Sequence, residues 1–224
     1  MFCAVIVAAG SSRRAGFDKL AAPLAGLPVL RRSVDAFVDE VRKNKQPTVI
    51  STLSEALRTA NTTVLRYARE NEEMTGMGTT FVAATVFPDR AYVMNVGDSR
   101  LYLLGNEIKQ ITVDHSYVEE MVRKGEIQRK DARIHPKKNV ITRAVGVEET
   151  VEADFYEIET ESDSEFLLLC TDGLTNMVED DEIRHMVMKY AKTPQDAVQR
   201  LVKKANEYGG KDNISIIMIS LKQE

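Results

Sequence analysis

Short apolar runs separated by turn-forming residue pairs fill the chain after Gly78. Four of these runs extend from Thr80 to Phe87, from Arg90 to Val96, from Arg100 to Leu104 and from Glu107 to Thr112. The pairs between neighbouring runs are Pro-Asp, Gly-Asp and Gly-Asn, which are common in the turns of β-hairpins. Because strands joined by such short turns pair antiparallel, the pattern predicts an antiparallel sheet.

The remainder of this region alternates predicted strands with predicted helices. Extended segments are predicted from Asn139 to Val145, from Ala153 to Ile158, from Phe166 to Cys170 and from Ile214 to Leu221. The helical spacing of apolar residues predicts helices at residues 53–68, 116–123, 128–133, 179–190 and 193–208. Thr52 and Glu55 fit a capping box at the start of the first helix. The predicted fold class is α+β, a two-layer antiparallel β-sandwich flanked by helices.

The chain begins with a different pattern. Cys3 to Ala9 is a run rich in Val and Ile that predicts a strand buried on both faces, and polar residues from Gly10 to Lys19 predict a loop. Pro28 to Val38 has the apolar spacing of a helix. This order of strand, loop and helix is typical of α/β proteins. The charged run from Asp39 to Gln46 that follows has the composition of a linker.

Length and composition fit a single globular domain. The chain has 224 residues, of which 43% are hydrophobic and 29% are charged. We predict one domain over residues 1–224, in which a strand-loop-helix segment at 1–38 is joined to a larger segment at 39–224. The formal net charge of −4 disfavours a nucleic-acid partner, because a phosphate backbone requires a basic face.

The cysteines and the first apolar run bear on the compartment. Cys3 and Cys170 have no ligand spacing, which supports neither a zinc knuckle nor a disulfide framework and favours a reducing cytoplasm. The run from Phe2 to Ala9 has no basic residue before it and is too short to cross a bilayer. We therefore expect a cytoplasmic protein that is neither secreted nor membrane-bound.

Three aspartates share a position that ordinary surface aspartates lack. Asp98 in VGDSR, Asp172 in LLLCTDG and Asp212 in GGKDNIS each lie in a glycine-containing turn at the end of an apolar strand. Several carboxylates that converge at strand ends form an oxygen cage suited to Mg²⁺ or Mn²⁺. Each aspartate taken alone is also explained as a residue that caps a turn.

Six short motifs follow one another in a fixed order. They are GMGTT at Gly76–Thr80, GDSR at Gly97–Arg100, DHS at Asp114–Ser116, HPKKNVIT at His135–Thr142, DGL at Asp172–Leu174 and DNIS at Asp212–Ser215. In this order they resemble the bacterial type 2C metal-dependent serine/threonine protein phosphatases, over a stretch from about Leu53 to Leu221.

The resemblance implies a two-metal centre at one end of the sandwich. There Mg²⁺ or Mn²⁺ activates water for attack on a phosphoserine or phosphothreonine of a protein substrate. Asp172 and Asp212 match the family's late metal ligands, and Asp98 matches an aspartate tied to an additional, weaker metal site.

The same resemblance identifies a flap, the stretch from Asp114 to Pro136, which lies beside the active site and helps to select substrates. His115 and Ser116 of the DHS motif belong to this flap. Among the histidines, His135 is interpreted as fixing a loop and His185 as solvated on a polar helix, whereas His115 has a somewhat stronger claim to a general-acid role.

The front of the chain lacks two motifs of that family. Its members open with an Asn-Glu-Asp type motif, which supplies a metal ligand, and with Asp-Gly-Met-Gly-Gly-His, which supplies the aspartate that bridges both metals and a histidine acid. Neither occurs here, and the basic residue for the substrate phosphate has no matched position. Loss of the bridging carboxylate leaves less negative charge between the cations, so we expect weakened metal binding and weak or absent activity.

Residues Ala4–Lys19 and Leu24–Phe37 instead resemble the start of a cytidylyltransferase of the methylerythritol-phosphate pathway. In that family a glycine-rich loop cradles the CTP phosphates, and Gly10, Arg14 and Lys19 are the candidates for that role here. A plain strand-to-helix turn explains the same residues, and the later nucleotidyltransferase segments are absent. The two resemblances together predict a chimera, with a non-catalytic module or a CTP- or phosphate-binding fragment as alternative functions.

Overall fold

The computed structural model describes residues 2–9, 23–24, 27–28, 48–160 and 165–221. Within these ranges the strands are β1 (Phe2–Ala9), β2 (Pro23–Leu24), β3 (Leu27–Pro28), β4 (Thr79–Val86), β5 (Arg90–Val96), β6 (Arg100–Leu104), β7 (Ile108–Gln110), β8 (Asp154–Glu159), β9 (Phe166–Cys170) and β10 (Ile216–Ser220). The helices are α1 (Val49–Glu70), α2 (Tyr117–Arg123), α3 (Arg129–Ala132), α4 (Asp172–Thr175), α5 (Asp180–Lys189) and α6 (Pro194–Glu207), with a 3₁₀ turn at Glu72–Met74.

Two four-stranded antiparallel sheets form the sandwich. The first has the strand order β1-β4-β5-β8 and the second has the order β10-β9-β6-β7, while β2 and β3 pair only with each other. α1 packs on the outer face of the first sheet, and α4, α5 and α6 pack on the outer face of the second. The predicted fold class, an α+β sandwich flanked by helices, is confirmed.

The run FLLLC of β9 shows how the sequence builds these layers. Leu167 and Leu169 pack between the two sheets, whereas Leu168 and Cys170 point to the opposite face and pack under the helices. Because alternate strand residues face opposite sides, an unbroken apolar run is what a strand buried on both faces requires. Burial of each leucine contributes about 2 kcal/mol.

α1 has the predicted apolar face but not the predicted start. The buried residues of this face are Leu53, Leu57, Ala60, Val64 and Ala68. The cap is Thr48, whose hydroxyl accepts a hydrogen bond from the Ser51 N–H, while Thr52 is buried within the helix. The capping-box prediction at Thr52 was therefore wrong, since the helix starts one turn earlier.

The segment Asn139–Val145 does not form the predicted strand. Its backbone makes two isolated bridges instead, one between Ser116 and Ile141 and one between Thr79 and Val145. The segment thus crosses from the flap to the first sheet without following either partner for long enough to form a ladder.

The predicted N-terminal strand is present as β1. It pairs antiparallel with β4 over eight residues, from Phe2 opposite Val86 to Ala9 opposite Thr79. The loop from Gly10 to Lys19 and, beyond Pro28, the helix predicted up to Val38 lie outside the described residues. In the part of the chain that the structure describes, no helix has the length and apolar character needed to cross a membrane.

Candidate active site

Asp98 lies in a tight turn between β5 and β6. The turn is made possible by Gly97, whose φ is +106° and whose position is so crowded that an added Cβ would lie 2.3 Å from Thr80 Cγ2. Behind the turn, the hydroxyls of Thr80 and Ser99 are 2.9 Å apart and both residues are buried. Glycine is required here because other residues rarely adopt this backbone conformation and have no room for a side chain.

Asp172 lies where β9 turns into α4, and this side of the site is held by the neighbouring loop. The buried Thr171 hydroxyl donates to Asn213 O at 3.1 Å and accepts from the Ser215 N–H at 3.1 Å. A Cβ on Gly173 would lie 2.2 Å from Asn213 O, so the two backbones touch only because position 173 is glycine. The loop that carries Asp212 is thereby fixed beside Asp172.

Asp98 and Asp172 line the same cavity, which has a volume of about 340 Å³. Asp114 and Ser116 of the flap line it as well. Its other lining residues are Arg100, Gln110, Val118, Glu119, Arg129, Lys130, Ala132, Arg133, Lys138, Thr175, Asn176, Glu179, Asp180 and Asp181. Of the three aspartates predicted to converge, the structure brings Asp98 and Asp172 to one cavity, and Asp212 is not among the lining residues.

The two aspartates influence each other electrostatically. Burial raises the pKa of Asp98 to about 7, and the negative charges of Asp172 and Asp114 add to the rise. Burial likewise raises the pKa of Asp172 to about 6, with Asp212 as the next cause. Asp212 therefore lies close enough to act on Asp172, although it is not part of the cavity lining. Its Oδ1 accepts a hydrogen bond from the Asn213 N–H at 2.8 Å.

The acidic groups do not form a closed ligand set. Among the described residues, no group of three or more His, Cys, Asp or Glu side chains could together hold a metal ion. The donor chemistry is nevertheless suited to a hard cation, since a divalent ion favours the ionised form of carboxylates whose pKa is raised by burial and by one another. The described residues fit one cation held by few protein oxygens, and by themselves they do not provide the ligands of a clamped pair.

A half-buried ion pair that sequence analysis did not anticipate lines the cavity. The Arg100 guanidinium binds Asp114 in bidentate fashion, with Nε–Oδ1 at 2.9 Å and Nη2–Oδ2 at 2.7 Å. Gln110 also donates to Asp114 Oδ1, at 3.0 Å. The Tyr102 hydroxyl accepts from Arg100 and donates to Asp180 Oδ1, each at 3.0 Å. This network fixes the start of the flap relative to α5.

His115 ties the flap to the Asp98 turn. Its backbone N–H donates to Gly97 O at 2.9 Å, and its Nδ1 accepts from the Gly97 N–H at 3.0 Å. Because Nδ1 accepts, the proton of the neutral ring lies on Nε2, which is 3.2 Å from Asp154 Oδ2. Burial lowers the pKa of His115, which favours this neutral form. Both ring nitrogens are thus engaged, and His115 does not line the cavity.

Ser116, by contrast, lines the cavity and also starts the flap helix. Its hydroxyl accepts a hydrogen bond from the Glu119 N–H at 3.2 Å, as the N-cap of α2. Of the remaining predicted site residues, Gly10, Arg14 and Lys19 lie outside the described residues.

Charges of opposite sign face each other across the cavity, a feature that sequence analysis missed. The flap and the segment after it contribute the cations Arg129, Lys130, Arg133 and Lys138, and the start of α5 contributes Glu179, Asp180 and Asp181. Arg133 Nε and Glu179 Oε1 form an ion pair at 2.8 Å that joins the two sides. No sequence signal could have paired these groups, because they are brought together only by the fold.

Comparison with known families matches residues 29–214 of this chain to the family described as Protein phosphatase 2C. The serine/threonine phosphatase stp of Listeria innocua is 42% identical over 168 residues, which make up 75% of this chain and 66% of that protein. The chain thus spans slightly less than two thirds of the length of this curated relative.

Solved structures are similar as well. The serine/threonine phosphatase Stp1 from Staphylococcus aureus superposes with a TM-score of 0.76 at 33% identity, covering 85% of this chain and 77% of that one. The catalytic domain of the serine threonine protein phosphatase PstP, solved in complex with 2 manganese ions, gives a TM-score of 0.73 at 24% identity over 97% of this chain and 98% of that one. At that identity the second likeness shows the fold alone.

Proposed function

Because this chain belongs to the protein phosphatase 2C family, we propose that it is a metal-dependent phosphoserine and phosphothreonine phosphatase scaffold with weak or absent activity. The observation that carries the proposal is the incomplete acidic site. Asp98 and Asp172 share a cavity, yet the described residues contain no group of three or more metal-binding side chains. Its partners would be phosphorylated proteins of the cytoplasm.

The metal would be Mg²⁺ or Mn²⁺, held by Asp172 and Asp212 with Asp98 at a weaker position. Such an ion supplies Lewis-acid activation of water and neutralises phosphoryl oxygens. The chain's own contribution is to hold the carboxylates beside the cavity, through the Gly97 turn on one side and the Thr171 contacts on the other.

The front of the chain is the reason for expecting impaired catalysis. The family's bridging aspartate is absent from the sequence, and we propose that Ala9, the last residue of β1, occupies its place. A strand can dock there through its backbone while the carboxylate is lost. Without that carboxylate, the repulsion between two cations a few ångströms apart is poorly compensated, so the second ion binds badly.

We further propose that the chain is a chimera. In this proposal residues 1–38 derive from a nucleotidyltransferase-like segment and residues 39–224 from a phosphatase, and together they form one domain. The family match begins at residue 29, ten residues before the proposed junction at 38/39. The resemblance of the front segment to a cytidylyltransferase supports the foreign origin of the strand itself.

Hydrolysis and metal binding test this proposal directly. We expect slow hydrolysis of p-nitrophenyl phosphate or a phosphothreonine peptide with Mn²⁺, and weak Mn²⁺ binding by calorimetry. Brisk turnover that is sensitive to chelators and abolished by Asp172→Asn would contradict the impaired-activity proposal. No turnover at any metal concentration would favour a non-catalytic module. Two tight Mn²⁺ sites in calorimetry would exclude that alternative.

A further inference from the structure

Asn95 is a polar residue buried in an apolar layer of the sandwich. It is the penultimate residue of β5, and its exposed fraction is 0%. Its strand neighbours Met94 and Val96 pack under α1. Because alternate strand residues face opposite sides, Asn95 faces the same way as Val93, which packs between the two sheets. An amide in such a place lowers stability unless it is hydrogen-bonded.

The Asn95 amide joins two segments of the candidate site. Its Nδ2 donates to Gly97 O at 3.2 Å and to Val113 O at 3.2 Å. Gly97 forms the turn that carries Asp98, and Val113 directly precedes Asp114, the first residue of the flap. Because both partners are carbonyl oxygens, which only accept, the NH₂ group must face them. One buried side chain thus holds the Asp98 turn and the start of the flap together from the interior of the sandwich.

The other half of this amide carries a cost. Asn95 Oδ1 is buried and has no hydrogen-bond partner in the part of the chain that the structure describes. The buried Asn61 of α1 differs. Its Nδ2 likewise donates to two carbonyls, those of Glu148 and Glu149, and its Oδ1 also accepts from the Gly146 N–H. Since an unsatisfied buried acceptor lowers stability, a leucine at position 95 would avoid that loss, and what the asparagine supplies is its two donated bonds.

We propose that Asn95 is a positioning residue, whose amide fixes the Asp98 turn relative to the flap. His115 joins the same two segments from the flap, since its backbone N–H also donates to Gly97 O. The Gly97 carbonyl therefore receives one bond from the interior of the sandwich and one from the flap. That this placement serves metal or substrate binding rests on the proposed function, whereas the coupling of turn and flap does not.

The first test is hydrogen exchange in the full chain, with the metal removed by EDTA. The variant Asn95→Leu has a similar volume and removes both donated bonds together with the unpartnered oxygen. Exchange at the Gly97 N–H and the His115 N–H should become about ten-fold faster or more, because two hydrogen bonds that hold the junction are lost. Exchange at Leu168, in the core strand β9, should change by less than about two-fold.

Asn61→Leu is the matched control. It also removes a buried amide that donates to two carbonyls, but Asn61 is not among the residues that line the cavity. Relative to Leu168, exchange at Gly97 and His115 should stay at the parental rate in this variant. Selective acceleration of these two amides in Asn61→Leu would contradict a specific role for Asn95.

A second measurement needs no variant. In the unmodified protein, the side-chain NH₂ protons of Asn95 should exchange at least about ten-fold more slowly than those of Asn206. The Asn206 amide also donates to a carbonyl, Val202 O at 2.8 Å, but from an exposed position. Equally fast exchange of the two side chains would overturn the proposal.

The variant can overturn the proposal in two further ways. One is exchange at Gly97 and His115 that stays at the parental rate in Asn95→Leu. The other is exchange in β9 that becomes faster by the same factor, because the role of Asn95 would then be general stability alone. Absence of Mn²⁺ binding by the parent protein would count against the proposed function and would leave the exchange results in EDTA unaffected.

Discussion

The two sides of the candidate site are held in place by different means. Asp98 lies on a turn that is held by the flap residue His115. The side chain of His115 accepts a hydrogen bond from the Gly97 N–H, and its backbone N–H donates one to the Gly97 carbonyl. Asp172 follows directly from the core strand β9, and Thr171 binds it to the loop of Asp212. The Asp98 side therefore depends on the flap, whereas the Asp172 side depends on the second sheet.

This difference implies that the flap can influence one carboxylate without disturbing the other. Opening the flap would release Gly97 and so alter Asp98, while the Thr171 contacts to Asn213 and Ser215 involve no flap residue. Variants on each side should consequently affect separate parts of the molecule, and the following predictions test that separation.

The largest effect is expected from the buried carboxylates in the absence of metal. The pKa of Asp98 in the folded protein, about 7, lies above the ordinary value of 3.8, because burial disfavours the charged carboxylate. The contribution of Asp98 to the free energy of unfolding is therefore complete below pH about 4 and is lost as the pH rises to about 7. Asp98→Asn should stabilise the protein at pH about 8 by about 2–4 kcal/mol. Asp172→Asn should do so by about 1–3 kcal/mol, with the loss ending near pH 6. Thermal unfolding in EDTA across this pH range measures both, and equal slopes in Asp98→Asn and the parent would contradict the interpretation.

A smaller effect is expected at His115. His115→Ala removes the acceptor for the Gly97 N–H, which should cost about 1–3 kcal/mol and speed hydrogen exchange at Gly97 and proteolysis of the flap. His115→Asn is the matched control, since its Oδ1 can take the place of Nδ1 and should restore part of the protection. Unchanged exchange at Gly97 in His115→Ala would show that the flap does not hold the Asp98 turn.

Thr171→Val probes the other side of the site. It removes the hydroxyl that binds Asn213 O and the Ser215 N–H, which should cost about 1–2 kcal/mol in denaturant unfolding. Exchange at Ser215 should become faster, whereas proteolysis of the flap should stay at the parental rate. Faster cleavage of the flap in this variant would mean that the two sides are coupled after all.

The smallest effect is expected from the ion pair across the cavity. Arg133→Gln should lower stability by less than about 1 kcal/mol, because Arg133 and Glu179 are both partly exposed. Lys203→Gln, which breaks an exposed pair with Glu207 on α6, is a matched control with a similarly small shift in the denaturation midpoint. A much larger loss in Arg133→Gln would show that this pair closes the flap onto α5.

Local patterns were sufficient to predict most of the strands of the two large sheets and to single out the two aspartates that line the cavity. The bounds of β9 match the prediction, since an apolar run between polar turns has few alternatives. Asp98 and Asp172 could be found because carboxylates in turns at strand ends are displayed by the sheet. Asp212 follows the same pattern but is not among the residues that line the cavity, a difference that no local pattern records.

Contacts between distant segments were what the sequence could not supply. The Arg100–Asp114 pair joins residues fourteen positions apart, and the cations after the flap meet α5 only in the folded chain. The missed cap at Thr48 has a local cause, since Thr52 and Glu55 also satisfy the capping spacing inside the helix. The segment Asn139–Val145 has strand-like composition, but its partners are Ser116 and Thr79 on different elements.

The pairing of β1 with β4 has a consequence for how the molecule tolerates change. All eight residues of β4 are buried, and β1 covers its outer edge along the whole length. The pairing is made by backbone hydrogen bonds, and every amino acid except proline has the backbone N–H that such a bond requires. A strand of unrelated ancestry can therefore occupy this position. Without β1, β4 would be an exposed hydrophobic edge strand that could pair with another copy of the chain. Any strand that occupies this position therefore protects the protein from aggregation.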